Sequence, residues 1–150
     1  MSNERTNASQ WIETGGRDLD AAIAGLTEGQ MLEQSIDGWS VKDHLGHLGV
    51  WHELRFLEIE RLAAGYASAM DSSEEMDESF NEIARAWRAA SPLDQVLWDL
   101  EQARNRVLQA IARLSDTALS RVFAEDWPLR TGHESQHAGY IRNWRRRKGW

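Results

Sequence analysis

The chain contains no cysteine, which excludes a disulfide framework, a thiolate zinc site and a cysteine nucleophile. Proline occurs only at Pro92 and Pro128, and β-branched residues are sparse, so little in the sequence interrupts helices. No apolar run approaches the length of a membrane span. The start, Met1 to Gln10, is polar and carries no apolar stretch of signal-peptide type. A soluble, cytoplasmic protein without a membrane partner is the expectation. Positive charge is also short: 17 Lys and Arg against 24 Asp and Glu leave a net charge of −7. That balance argues against nucleic acid as a partner.

What remains is a helical composition in 150 residues, expected as one domain over 1–150 with enough chain to bury a core. Eight tryptophans is a high count for this length, and side chains of that size build cores or line ligand pockets. Helical spacing of Trp11, Leu19, Ala22, Ile23 and Leu26 predicts a first helix over about Asn7 to Leu26, weakened in its middle turn by Gly15-Gly16. A connector follows, ending in the turn residues Asp37-Gly38. Ser40 and Asp43 read as the cap and reciprocal position of a second helix running to about Tyr66. An acidic loop, Asp71 to Glu78, leads into a shorter helix bearing Phe80, Ile83, Ala84 and Trp87. Ser91-Pro92 reads as the cap and first turn of the next helix. Its residues Leu93, Val96, Leu97, Leu100, Val107, Leu108, Ile111 and Leu114 form the three-four repeat of a bundle seam. A second connector, Ser115 to Arg130, precedes a closing helix that ends in Arg145-Arg146-Arg147-Lys148. The fold class expected is all-α: a four-helix bundle with an additional short helix.

All five histidines fall in two of these helices: His44, His47 and His52 in the second, His133 and His137 in the last. His133 and His137, four residues apart, share one helix face that continues through Tyr140 and Trp144. Thr131 and Glu134 fit a capping box that starts this helix and places both imidazoles in its first two turns. Two such nitrogens on a rigid element suit one metal ion, and a facing helix can supply the third. Periodicity does not choose that third ligand, because His44 and His52 compete with His47, which lies on the flank of its helix's apolar stripe.

The order Trp39-Ser40-Val41-Lys42-Asp43-His44-Leu45-Gly46-His47-Leu48, followed far downstream by His133-x-x-x-His137, resembles the DinB/YfiT-like superfamily of helical bundles over nearly the whole chain. The resemblance implies metal ligation by His47, His133 and His137. It also implies a zinc or nickel ion and an activity among those known in the family. Those are transfer or isomerisation with low-molecular-weight thiols such as bacillithiol or mycothiol, or hydrolysis of a small substrate.

His133 to His137 also satisfies H-E-x-x-H, in which Glu134 would be the general base of a zinc peptidase. Such enzymes need a further ligand downstream, but no Asp, Glu or His follows His137 and Tyr140 stands where the extended motif needs glycine. A peptidase is therefore disfavoured. Glu134 is a candidate base or a surface glutamate at the helix start. Tyr140, Trp144 and Trp51 are candidate pocket-lining residues, and Trp87 and Trp98 are expected in the core. The basic tail suits the negative end of a helix or an anionic ligand. The function expected is a metal-dependent thiol transferase or hydrolase acting on a small molecule. The alternative is a non-catalytic bundle that sequesters a small molecule or metal. Exposed bundle faces are compatible with a homodimer.

Overall fold

The computed structural model describes residues 2–69, 74–124 and 132–150. Its helices are α1 (Ser2–Ile23), α2 (Glu28–Leu32), α3 (Val41–Ala63), α4 (Glu74–Ala89), α5 (Leu93–Arg113), α6 (Asp116–Ala124) and α7 (His133–Lys148). Among the described residues there is no strand, only an isolated bridge between Ile36 and Trp39. The fold is an all-α bundle whose long members are α1, α3, α5 and α7. Helix α3 is the hub, packed on α5, α4, α6, α2 and α7, while α1 closes the bundle against α7 and α5. No helix among the described residues is long and apolar enough to cross a membrane.

Local chemistry fixes the start of α3. Ser40 Oγ accepts from the Asp43 amide at 3.0 Å and Asp43 Oδ2 accepts from the Ser40 amide at 2.9 Å, the reciprocal capping expected of this pair. Just before it, Asp37 (φ 50) and Gly38 (φ 86) both adopt left-handed backbone. This closes a two-residue hairpin of the primed type between Ile36 and Trp39. The hairpin aims the Trp39 indole at the first turns of α3. Arg85 secures it from α4, its guanidinium 5.5 Å from the indole centroid and its Nη2 donating to the Gly38 carbonyl at 3.1 Å.

Several sequence expectations are corrected. Both connectors contain helices: α2, capped reciprocally by Thr27 and Gln30, and α6. Ser91 does not cap α5; Pro92 is the N-cap, with no side-chain cap bond. In α1 the buried positions are Ala8, Ile12, Leu19 and Ala22, whereas Trp11 is exposed. Helix α3 ends at Ala63 and Tyr66 lies beyond it, in water. Trp87 and Trp98 are not core: they are 64% and 59% exposed. The expected Thr131 cap lies outside the described residues, as do Trp127 and Pro128.

The apolar core comes in two blocks. One gathers Leu19, Leu45, Leu48, Leu100, Ile141 and Trp144, among others. The other gathers Ile12, Ile59, Leu62, Val107, Ile111 and Leu119. On α1, α3 and α5 the break between them is polar or small: Gly15-Gly16 in α1, His52 and Arg55 in α3 and Arg104 in α5, with Glu134 entering the same layer from the start of α7. The glycine pair that looked like a weak turn in α1 makes room for this layer. A Cβ on Gly15 would meet the Glu134 Cβ at 3.0 Å, and one on Gly16 would meet Arg104 Nε at 2.9 Å.

Candidate metal centre

Helices α3 and α7 bring four histidines together beside that polar layer. His47, His133 and His137 each offer a nitrogen such that all three atoms lie within 4.8 Å of one another. His47 Nε2 and His133 Nε2 are 3.0 Å apart, close to the roughly 3.3 Å that two nitrogens adopt on one tetrahedral zinc. The ring centroids of the three pairs stand 4.7–4.9 Å apart. The donor set is all nitrogen, with no carboxylate in the group, and suits zinc, nickel and other first-row ions that favour imidazole. This three-histidine group could hold a metal ion.

Electrostatics favour ligation further. Burial lowers the pKa of His47 to about 4, with His44 adding to the effect. Burial, then the neighbouring histidines, pushes His133 and His137 well below their ordinary range. All three imidazoles are therefore neutral at physiological pH, the form a metal requires.

His44 and His52, the competing histidines, take other places. His44 Nδ1 lies 2.7 Å from His137 Nδ1, which leaves His137 Nε2 for a ligand. Burial lowers the His44 pKa to about 4 despite the raising effect of Asp43 and Asp37, so it too is neutral. His52 belongs to the polar layer: its Nδ1 accepts from Arg55 Nη1 at 2.9 Å, and its Nε2 lies 3.1 Å from Glu134 Oε1, poorly aligned but at ion-pair distance. Because Arg55 can only donate, the ring proton of His52 sits on Nε2, facing Glu134.

Glu134 is not a surface residue; it is 2% exposed. Its oxygens are held by Arg104, with Nε donating to Oε1 and Oε2 at 3.1 Å and Nη2 to Oε1 at 2.9 Å. Burial alone would raise its pKa, but the proximity of the His52 N–H and the bonds and charge of Arg104 outweigh that and hold it below the usual carboxylate value. With Glu134 so engaged, the N-cap of α7 is Gly132, without a side-chain cap bond.

The histidines open onto a cavity of about 740 Å³, a size suited to a small molecule. Trp51 and Tyr140 line it as expected, with Trp39, Arg55, Asn81 and Arg147. Trp51 is fixed by its Nε1 donating to Asn81 Oδ1 at 2.9 Å and by edge contact with Phe80. Tyr140 stands edge-on to His137, centroids 5.4 Å apart. Trp144 is not among the lining residues. It is buried in the core, donates to Ser35 Oγ at 2.8 Å and packs edge-on to Trp150.

Arg55 and Arg104 are missed by sequence reasoning because charged residues read as solvated surface. The signal for Arg55 was its register, four residues after Trp51 and eight after His47 on one face of α3. Trp39 enters the site through the Asp37-Gly38 turn, its ring centroid 5.2 Å from that of His44 and 5.5 Å from that of His47. No curated protein and no solved structure matches the chain significantly. The family model of the DinB superfamily matches residues 12–141, taking in α3, α5 and the histidine-bearing turns of α7. The chain therefore belongs to the DinB superfamily.

Proposed function

We propose that the protein is a metal-dependent enzyme in which His47, His133 and His137 hold a divalent ion, zinc or nickel, at the floor of the cavity. There it joins a low-molecular-weight thiol to a small electrophile or hydrolyses a small substrate. The observation that carries this reading is the convergence of three neutral, largely buried imidazoles on one point beside an open space of ligand size.

A divalent ion held there supplies Lewis acidity, lowering the pKa of a bound thiol or water. The protein's own residues supply geometry. His44 is assigned as the positioning partner of His137, accepting at Nδ1 the proton of His137 Nδ1 and so presenting Nε2 to the ion. Trp39, Trp51 and Tyr140 form apolar walls that exclude water and grip the body of the substrate. Glu134 serves position as well: Arg104 and His52 occupy its carboxylate, so it fixes the first turn of α7. With its carboxylate so occupied, Glu134 does not take up the proton of the thiol or water, which leaves to solvent.

Turnover of small aromatic and aliphatic electrophiles by the zinc- or nickel-loaded protein, with and without a panel of small thiols, separates the readings. Catalytic consumption that needs a thiol, and is lost in His133→Ala, is the expected result. Thiol-independent consumption would favour hydrolysis. Capture that stops at one equivalent would contradict catalysis and leave a sequestering protein.

A further inference from the structure

Arg55 is 3% exposed and borders the cavity. On α3 the cavity face runs His47, Trp51, Arg55 in steps of four residues, about 6 Å of rise each. A molecule lying along that wall would span from the histidines, past an indole, to a guanidinium. Arg55 Nη1 donates to His52, and Nε is buried with no acceptor. Among the described residues no carboxylate approaches Arg55 within ion-pair distance, since Glu134 is engaged by Arg104 and His52, and Glu58 by Arg61, Ser68 and the Ala69 amide. The polar layer thus holds two guanidiniums and one carboxylate, with His52 neutral because burial lowers its pKa. One positive charge is left without a direct partner at the cavity wall. A buried cation lacking a paired anion is strongly unfavourable, and the cavity is the side from which an anion can arrive.

We propose that Arg55 is an anion-binding subsite and that the substrate is a small organic carboxylate, its anionic end docked at Arg55 and its other end facing the three histidines. This rests on the reading of the cavity as a substrate site. With Nη1 given to His52 and Nε lacking an acceptor, the guanidinium keeps unused donor capacity beside the cavity, and a carboxylate is the planar anion that guanidinium pairs with best. A dianion such as a phosphate monoester fits worse, because the remaining charged lining residues, Asp37, Asp77 and Arg147, sum to one negative charge.

The test is calorimetric titration of metal-free and zinc-loaded protein with phenylacetate and, separately, with its neutral counterpart phenylacetamide. Phenylacetate should bind about 10- to 100-fold more tightly than the amide, the loss expected for a charge-assisted bond, and should do so in both metal states. Arg55→Gln should remove that preference while leaving amide binding and zinc content unchanged, and Arg55→Lys should restore part of it. Equal binding of acid and amide by the wild-type protein overturns the proposal, as does failure of phenylacetate to bind at millimolar concentration. Acid binding that requires zinc and is indifferent to Arg55→Gln overturns it too, placing the carboxylate on the metal. Because the acid–amide comparison stands without metal, a protein that takes up no zinc yet prefers the acid through Arg55 would sink the metalloenzyme reading alone.

Discussion

Glu134 is the residue on which the interior charge balance turns. It is buried, and Arg104, with a side chain 14% exposed, closes on it. Glu134→Gln keeps the shape and removes the charge, leaving Arg104 in the bundle without its counter-ion. Such a loss costs about 3–5 kcal/mol, and urea denaturation of the metal-free protein should read that difference; a change below about 1 kcal/mol would mean that water already screens the pair. The histidines make a second prediction at this scale. In the fold, burial lowers His44 and His47 from 6.5 to about 4. Below pH 6.5 the unfolded chain therefore binds protons that the native protein refuses, and stability rises with pH. The contribution is complete above the unfolded value and is lost as pH falls toward about 4. The urea midpoint of chelated protein should be lower at about pH 5 than at about pH 7.5, with a shallower dependence in His47→Gln. A midpoint independent of pH over that range would contradict the burial of neutral imidazoles. None of this was legible in the sequence. Glu134 read as a surface cap because composition cannot show that Gly15 and Gly16 clear space for it, or that Arg104 lies opposite.

At the scale of elements, the helices with a strong apolar stripe and a cap could be read directly. Ser40 and Asp43 marked the start of α3, and the Leu93-to-Leu114 repeat marked α5. Helix α2 escaped notice because it has five residues and buries none of them. Helix α6 spans only nine residues, too short for its apolar residues Ala118, Leu119 and Val122 to show a sustained helical repeat. Trp87 and Trp98 were expected inside because of their size, yet they lie on the outer faces of α4 and α5, where the bundle has no layer to cover them. Close packing between elements gives a further test. A Cβ at Gly46 would come within 2.8 Å of the Arg88 Cβ on α4, while one at Gly49 would stand 3.4 Å from the Leu100 Cα on α5. Gly46→Ala should therefore destabilise by about 1–3 kcal/mol through forced movement of α4, despite the better helix propensity of alanine. Gly49→Ala should stay within about 1 kcal/mol of the parent, the propensity gain offsetting a snug contact. Thermal melts of the two variants side by side decide it; equal losses would show that α4 does not pack as described.

For the whole molecule, the arrangement is two apolar blocks with a charged layer between them and a histidine cluster at that layer's edge. The bundle class and the matched family follow from features spread along the chain, which is why they could be read early. The choice of His47 over His44 and His52 could not be read from periodicity, since all three sit on buried positions of α3. It emerges only when α7 is docked and His52 is seen to face Glu134 while His44 meets the far nitrogen of His137. The same docking sets the cluster beside the cavity and Arg55, so the proposed metal and substrate sites adjoin the charged layer. The ion is the centre of the proposed function. Elemental analysis of the purified, untagged protein, beside His47→Ala and His52→Ala, tests it most directly. The account predicts about one equivalent of zinc or nickel in the parent and in His52→Ala, and its loss in His47→Ala. No metal in the parent after titration with zinc and nickel, or retention of the metal in His47→Ala, would contradict it.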